Sequence, residues 1–111
     1  EKAEAIFRAF GPSMIRHPLG FGSLLSALDR YHSEVKEIVV AGDSPSLIRR
    51  IQQVYLPNRA LVSIHTETDY PPLARGKWPK DGQVPAIYVC RGFQCEAPVN
   101  SWKELEPLLK R

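Results

Sequence analysis

Glu37-Ile38-Val39-Val40-Ala41-Gly42-Asp43-Ser44-Pro45, residues 37–45, is the stretch from which the rest of the chain can be read. Its first half is a short, continuous, β-branched apolar run, the mark of a strand buried on both faces. Gly42-Asp43 turns the chain. Ser44 suits the cap of a following helix, and Pro45 fits its first position, where a missing N–H costs nothing. Leu47, Ile48, Ile51, Val54 and Tyr55 then recur at helical spacing until Pro57-Asn58 stops them. Ala60-Leu61-Val62-Ser63-Ile64-His65 reads as a second strand. Strand, helix and strand within about thirty residues make a βαβ unit with a right-handed crossover.

Downstream, residues 67–83 are polar and rich in turn formers: Pro71-Pro72, Gly76, Pro79 and Asp81-Gly82. A loop of that length is often functional or covers a neighbouring surface. Ala86-Ile87-Tyr88-Val89-Cys90 is a third strand, Arg91-Gly92-Phe93-Gln94 a turn, and Cys95-Glu96-Ala97 a short edge strand running back. Ser101 with Glu104 is a capping box opening a last helix that contains Leu105, Leu108 and Leu109. Pro107 lies past the tolerated first turn and predicts a kink or break.

Upstream, Ala5, Ile6, Ala9 and Phe10 place a helix over residues 2–10, ended by Gly11-Pro12. Pro18 suits the first turn of a second helix, firm from Ser23 to Ser33, with Leu24, Leu25, Leu28 and Tyr31 as its stripe. These two read as an antiparallel pair. The expected class is therefore α/β. A helical pair (residues 1–36) precedes a small α/β domain (37–111). That domain holds a three-stranded, largely parallel, Rossmann-like sheet flanked by helices, with a C-terminal β-hairpin and helix. Ile38–Ala41 is expected between the other two strands.

The chain has 111 residues, enough for one core. No apolar run reaches the ~20 residues of a membrane helix. The start is charged and helical, without a cleavable signal or an initiator Met, so the chain is expected to be cut from a longer one. The net charge of +3 is local: residues 44–80 carry Arg49, Arg50, Arg59, Arg75, Lys77 and Lys80 against Glu67 and Asp69. Arg49 and Arg50 read as a solvated helix face. They form no dense basic stripe with interleaved aromatics, which disfavours nucleic acid as a partner. Two cysteines are too few for a secreted disulfide scaffold and fit a cytoplasmic protein.

The chemistry on offer is sparse. Cys90 and Cys95 face each other across the expected hairpin at a separation suited to a disulfide, ~4.5–5.5 Å between Cα atoms. Two reduced thiols packing the hairpin, a structural or labile disulfide, and a metal site all remain open, and an accessory redox module that cycles Cys90 and Cys95 between dithiol and disulfide is an alternative function. Arg91 is placed to lower a thiol pKa. Zinc is short of ligands, since only His65 stands near, with His17 and His32 in the helical pair. The Gly42-Asp43-Ser44 turn lies at a strand's C-terminal end, where open α/β sheets bind ligands, and makes a candidate anion or small-ligand site. Asp43 opposes an anion there. A nucleophile elbow is rejected because Ser46 stands where a second Gly is needed. Gly20-Phe21-Gly22-Ser23 lacks the strand and third glycine of a dinucleotide loop. Trp102 is read as a staple for the last helix, and Trp78 as a candidate sugar or partner contact. No catalytic residue, metal ligand set or cofactor is assigned.

The stretch Ala86–Val99 resembles the C-terminal signature A-Y-V-C-x-x-F-x-C-x-x-P of a family that joins a thioredoxin-like domain to an (α/α) toroid of six-hairpin glycosidase type, the spermatogenesis-associated thioredoxin-like proteins. The match falls on Ala86, Tyr88, Val89, Cys90, Phe93, Cys95 and Pro98, with Ile87 inserted. Leu25–Arg30 is similar to the Leu-x-Ala-Leu-Asp helix near the family toroid's end. Residues 37–42 with Tyr55-Leu56-Pro57-Asn58 look like the strand and helix end that follow. The resemblance implies that residues 1–36 are the end of an upstream (α/α) toroid, and that the chain is a C-terminal, non-catalytic module that packs against and completes it, its partners being the upstream domains of the same polypeptide. Any reactive residues would then lie before Glu1.

Overall fold

Strand β1 (Lys36–Ala41) is the middle of the structure, a computed structural model that describes residues 1–92 and 94–110. Ile38, Val39, Val40 and Ala41 are all fully buried. Both faces of the run are therefore covered, as its unbroken apolar character requires. The chain divides into two compact units, Glu1–Glu34 and Val35–Arg111.

In the second unit, α3 (Pro45–Gln53) follows β1 and leads to β2 (Arg59–Ile64), which pairs parallel to β1 with Ile38 opposite Leu61 and Val39 opposite Val62. This is the expected βαβ unit. The third strand departs from expectation. β3 (Ala86–Arg91) pairs antiparallel to β1, with Ala86 opposite Ala41, and β4 (Gln94–Cys95) pairs antiparallel to β3. The sheet is thus four-stranded and mixed, in the order β2-β1-β3-β4, rather than three-stranded and largely parallel. The reason lies in the connection. A parallel return needs a crossover element to carry the chain to the far end of the sheet. Residues 65–85 contain only a single 3₁₀ turn (Pro72–Ala74), and the chain re-enters the sheet at the end where β2 left it.

That connection also replaces the second helical layer. Ile38, Val40, Ile87 and Val89 face Leu47 and Ile51 of α3 and Leu105 and Leu109 of α4 (Trp102–Leu109). On the opposite face Val39, Ala41, Ile64 and Ala86 pack against Ala74, with Leu73, Trp78 and Tyr88 half-buried around them. Among the described residues of this unit, the α-helices pack on one face and the long polar loop covers the other.

Helix ends differ from the reading in detail. The Ser101 cap is present: its Oγ accepts from Glu104 N–H and donates to the Glu104 carboxylate at 3.0 Å. Pro107 does not break α4. It is exposed, removes only one intrahelical donor, and sits between the buried anchors Leu105 and Leu109. Ser44 occupies the N-cap position of α3 without a side-chain cap bond. Val54 ends that helix, and Tyr55, 87% exposed, lies outside its buried stripe.

Two basic side chains tie the helix C-termini to the sheet. Lys36 and Arg59 are register partners at the starts of β1 and β2. The Lys36 ammonium, in a residue only 8% exposed, donates to the carbonyls of Leu108 (3.1 Å) and Leu109 (2.7 Å) at the end of α4. Arg59 donates to Val54 O at 2.9 Å, at the end of α3. Each positive charge lies at the negative pole of a helix, among carbonyls with no partner within the helix. Lys36→Met keeps the stem and removes the donors. It is expected to destabilise the unit by about 2 kcal/mol, read as a lower urea midpoint at unchanged slope.

The first unit consists of α1 (Lys2–Arg16), a 3₁₀ turn (Pro18–Phe21) and α2 (Gly22–His32). Gly11-Pro12 does not end α1, which continues to Arg16. Pro12 is exposed and costs one hydrogen bond, whereas Met14, buried two residues further on, extends the apolar face. Pro18 accordingly opens the 3₁₀ turn rather than α2.

Candidate functional site

The cysteine hairpin is built by the β3–β4 register. Glu96 N–H donates to Val89 O at 2.9 Å, making those two residues a hydrogen-bonded pair. The next pair, Cys90 and Cys95, therefore falls at a non-hydrogen-bonded position, where antiparallel strands come closest. Their Cα atoms are 3.9 Å apart and the structure joins them as a disulfide. Gly92 turns the chain in the left-handed region, φ +51°, where a side chain would be strained. Phe93, part of the expected turn and signature, lies outside the described residues.

The two sulfurs have unlike surroundings. Cys90 is 1% exposed within the sheet, whereas Cys95 is exposed on the edge. Arg91 follows Cys90 on β3, so strand alternation places it on the opposite face of the sheet, away from the thiol it was expected to influence. Closing so short a loop stabilises the fold by about 2 kcal/mol in the chain-entropy model. Beyond β4, Val99 and Ile87 exchange two backbone bonds, at 2.8 and 3.0 Å. From Ile87 to Cys90 is three steps along β3, but four from Cys95 to Val99. The extra residue is a bulge, a place where Pro98, with no N–H, fits. Among the described residues no group of three or more His, Cys, Asp or Glu side chains is placed to hold a metal.

The Gly42-Asp43-Ser44 turn lies beneath the end of the long loop. Gly42 is buried, its N–H donates to Ile64 O at 2.8 Å, and Val84 and Pro85 lie directly over it. Asp43 is exposed. Only Ser44 lines an adjacent groove of about 330 Å³, shared with Arg50, Pro85, Asn100, Ser101 and Trp102. Arg50 stacks over Trp102 at 5.4 Å, and Asn100 donates to Pro85 O at 3.0 Å. The N-termini of α3 and α4 thus open onto one depression. Both serines are recognisable in the sequence as N-cap residues, but that they line one groove is not, because Ser44 and Ser101 are far apart in the chain. Tyr88, half-buried under the loop, has its phenol raised by burial first and by Asp81 second.

A third feature lies in the helical pair. Phe7 packs on Tyr31 (ring centroids 5.4 Å apart), Phe10 on Phe21 (6.3 Å), and the Tyr31 hydroxyl donates to the Glu4 carboxylate. That bond, ahead of desolvation, raises the Tyr31 phenol above its ordinary range. Among the described residues of this unit Met14 alone is a buried hydrophobic, while Ile15 is 83% and Leu19 100% exposed. Phe7, Met14, Ile15, Pro18, Leu25 and Leu28 line an apolar groove of about 340 Å³. No helix among the described residues is long and apolar enough to cross a membrane.

No family model and no solved structure matches the chain. A protein of Caenorhabditis elegans, described as "Uncharacterized protein B0495.5", is 32% identical over 119 aligned residues. The alignment takes in all of this chain but 16% of that protein, so the chain spans about a sixth of the length of the curated relative it matches.

Proposed function

We propose that this chain is a non-catalytic α/β module of a larger cytoplasmic polypeptide, and that its helical pair docks onto other helices of that polypeptide to complete an (α/α) toroid. The observation that carries the reading is the helical pair's lack of a core of its own. Two amphipathic helices bury one hydrophobic residue, Met14, and leave Ile6, Phe10, Ile15, Leu19 and a lined apolar groove uncovered. An apolar surface of this kind marks a face that another element covers. The small share of the C. elegans relative that the chain spans supports a larger parent. The resemblance of Leu25–Arg30 and Ala86–Val99 to the end of the thioredoxin-like, six-hairpin family supplies the toroid as occupant.

The test is association of this chain with the remainder of its parent, produced as a separate polypeptide. Ile15→Glu combined with Leu19→Glu is expected to weaken that association by ~30-fold or more, as loss of interface anchors does. Both positions are solvent-exposed in the isolated chain, so its stability should move by no more than about 0.5 kcal/mol. Undiminished binding by the double variant would overturn the reading, as would absence of binding by the unmodified chain.

A further inference from the structure

We propose that Cys90 and Cys95 form a thiol–disulfide exchange site whose co-reactant is a dithiol, with Cys95 the sulfur that is attacked and Cys90 the sulfur that is released. Three features of the hairpin carry this. The first is asymmetry of access. Cys95 is exposed on a two-residue edge strand, whereas Cys90 is 1% exposed inside the sheet, so an incoming thiolate meets the Cys95 side. The second is that the returning segment is held against β3 without the cross-link. Glu96 N–H bonds Val89 O, and Ile87 and Val99 bond each other twice. Opening the S–S bond therefore leaves the two sulfurs in register to rejoin. The third is the size of the loop. Cysteines five positions apart close a short loop, which constrains the denatured chain less than a long one would, so opening the bond removes only part of the fold's stability.

The exchange balances. A thiolate of the dithiol attacks Cys95 Sγ and forms a mixed disulfide. The Cys90–Cys95 bond breaks, and its electron pair leaves on Cys90 Sγ, which takes a proton from water. The second thiolate of the dithiol then attacks its own partner sulfur in the mixed disulfide and releases Cys95 as a thiolate. The protein gains two electrons and the dithiol becomes a disulfide. Reoxidation follows the same path in reverse.

The oxidised 111-residue chain, held in native buffer with dithiothreitol and quenched with acid, is expected to gain two hydrogens by intact mass while its helical circular dichroism before the quench is unchanged. With glutathione as the thiol and acid trapping, peptide mapping is expected to place the adduct on Cys95 in ~10-fold excess over Cys90, since exposure controls attack. C90A leaves Cys95 alone and should react with glutathione disulfide under native conditions. C95S leaves Cys90 alone and should stay unmodified until the chain is unfolded. Reduction that requires denaturant, or that proceeds only as the dichroism is lost, overturns the proposal. So does an adduct mapped to Cys90, or a folded C90A chain whose Cys95 stays inert.

Discussion

Gly42→Ala is expected to cost about 3 kcal/mol of folding stability, more than the same change at Gly76 or Gly82. Two effects combine. At φ +104° an L side chain is strained, which costs about 1–2 kcal/mol. The new Cβ would also lie 2.6 Å from Val84 Cβ and 3.4 Å from Pro85 Cα, where the long loop closes over the end of β1. Overpacking of that kind costs roughly 1–3 kcal/mol. Gly76→Ala separates the two contributions. Gly76 has φ +72°, but nothing lies within 4 Å of a Cβ there, so only the backbone cost applies. Urea denaturation should place the Gly76 variant about 1 kcal/mol below the parent and the Gly42 variant well below that. Equal losses at the two sites would mean that the Val84–Pro85 closure yields freely.

Leu105→Ala is expected to lower stability by about 3–4 kcal/mol, a large part of what a domain of this size has to lose. Leu105 is fully buried between α4 and the sheet, in one cluster with Ile38, Val40, Ile51 and Ile87. Truncating it removes buried area and leaves a hole lined by residues of two strands and a helix, which cannot all collapse inward. Leu108→Ala, on the half-buried flank of the same helix, is the comparison, with an expected loss of about 1 kcal/mol. A small effect at Leu105 would show that α4 is not the lid of the helical-side core. The Lys36→Met variant should add to Leu105→Ala less than its full single-site cost, because both act on the docking of α4.

The local pieces were legible because each is fixed by neighbours in the chain. The apolar run 38–41 is a strand buried on both faces, the βαβ unit around it is present, and β1 lies between β2 and β3. Ser101 caps its helix by accepting from Glu104 N–H, as their spacing indicates. The prolines weigh less than their rings alone imply. Pro12 and Pro107 each remove one hydrogen bond, and buried residues beyond them, Met14 and Leu109, hold the helices through.

What the amino-acid order alone determined is which segments pair with themselves or with the next element: helices by 3.6-residue periodicity, β1 by unbroken β-branching, the cysteine hairpin by its short turn. What only the tertiary structure decided is everything set by where a long connection ends. The direction of β3, the covering of one sheet face by residues 65–85 instead of a helix, and the burial of Gly42 beneath Val84 all depend on that one loop returning to the end of the sheet it left. The meeting of Ser44 with Ser101, and of Lys36 with the end of α4, likewise joins residues from distant parts of the chain. Periodicity carries no information about such contacts, because closing a long loop costs nearly the same free energy whichever way the chain comes back.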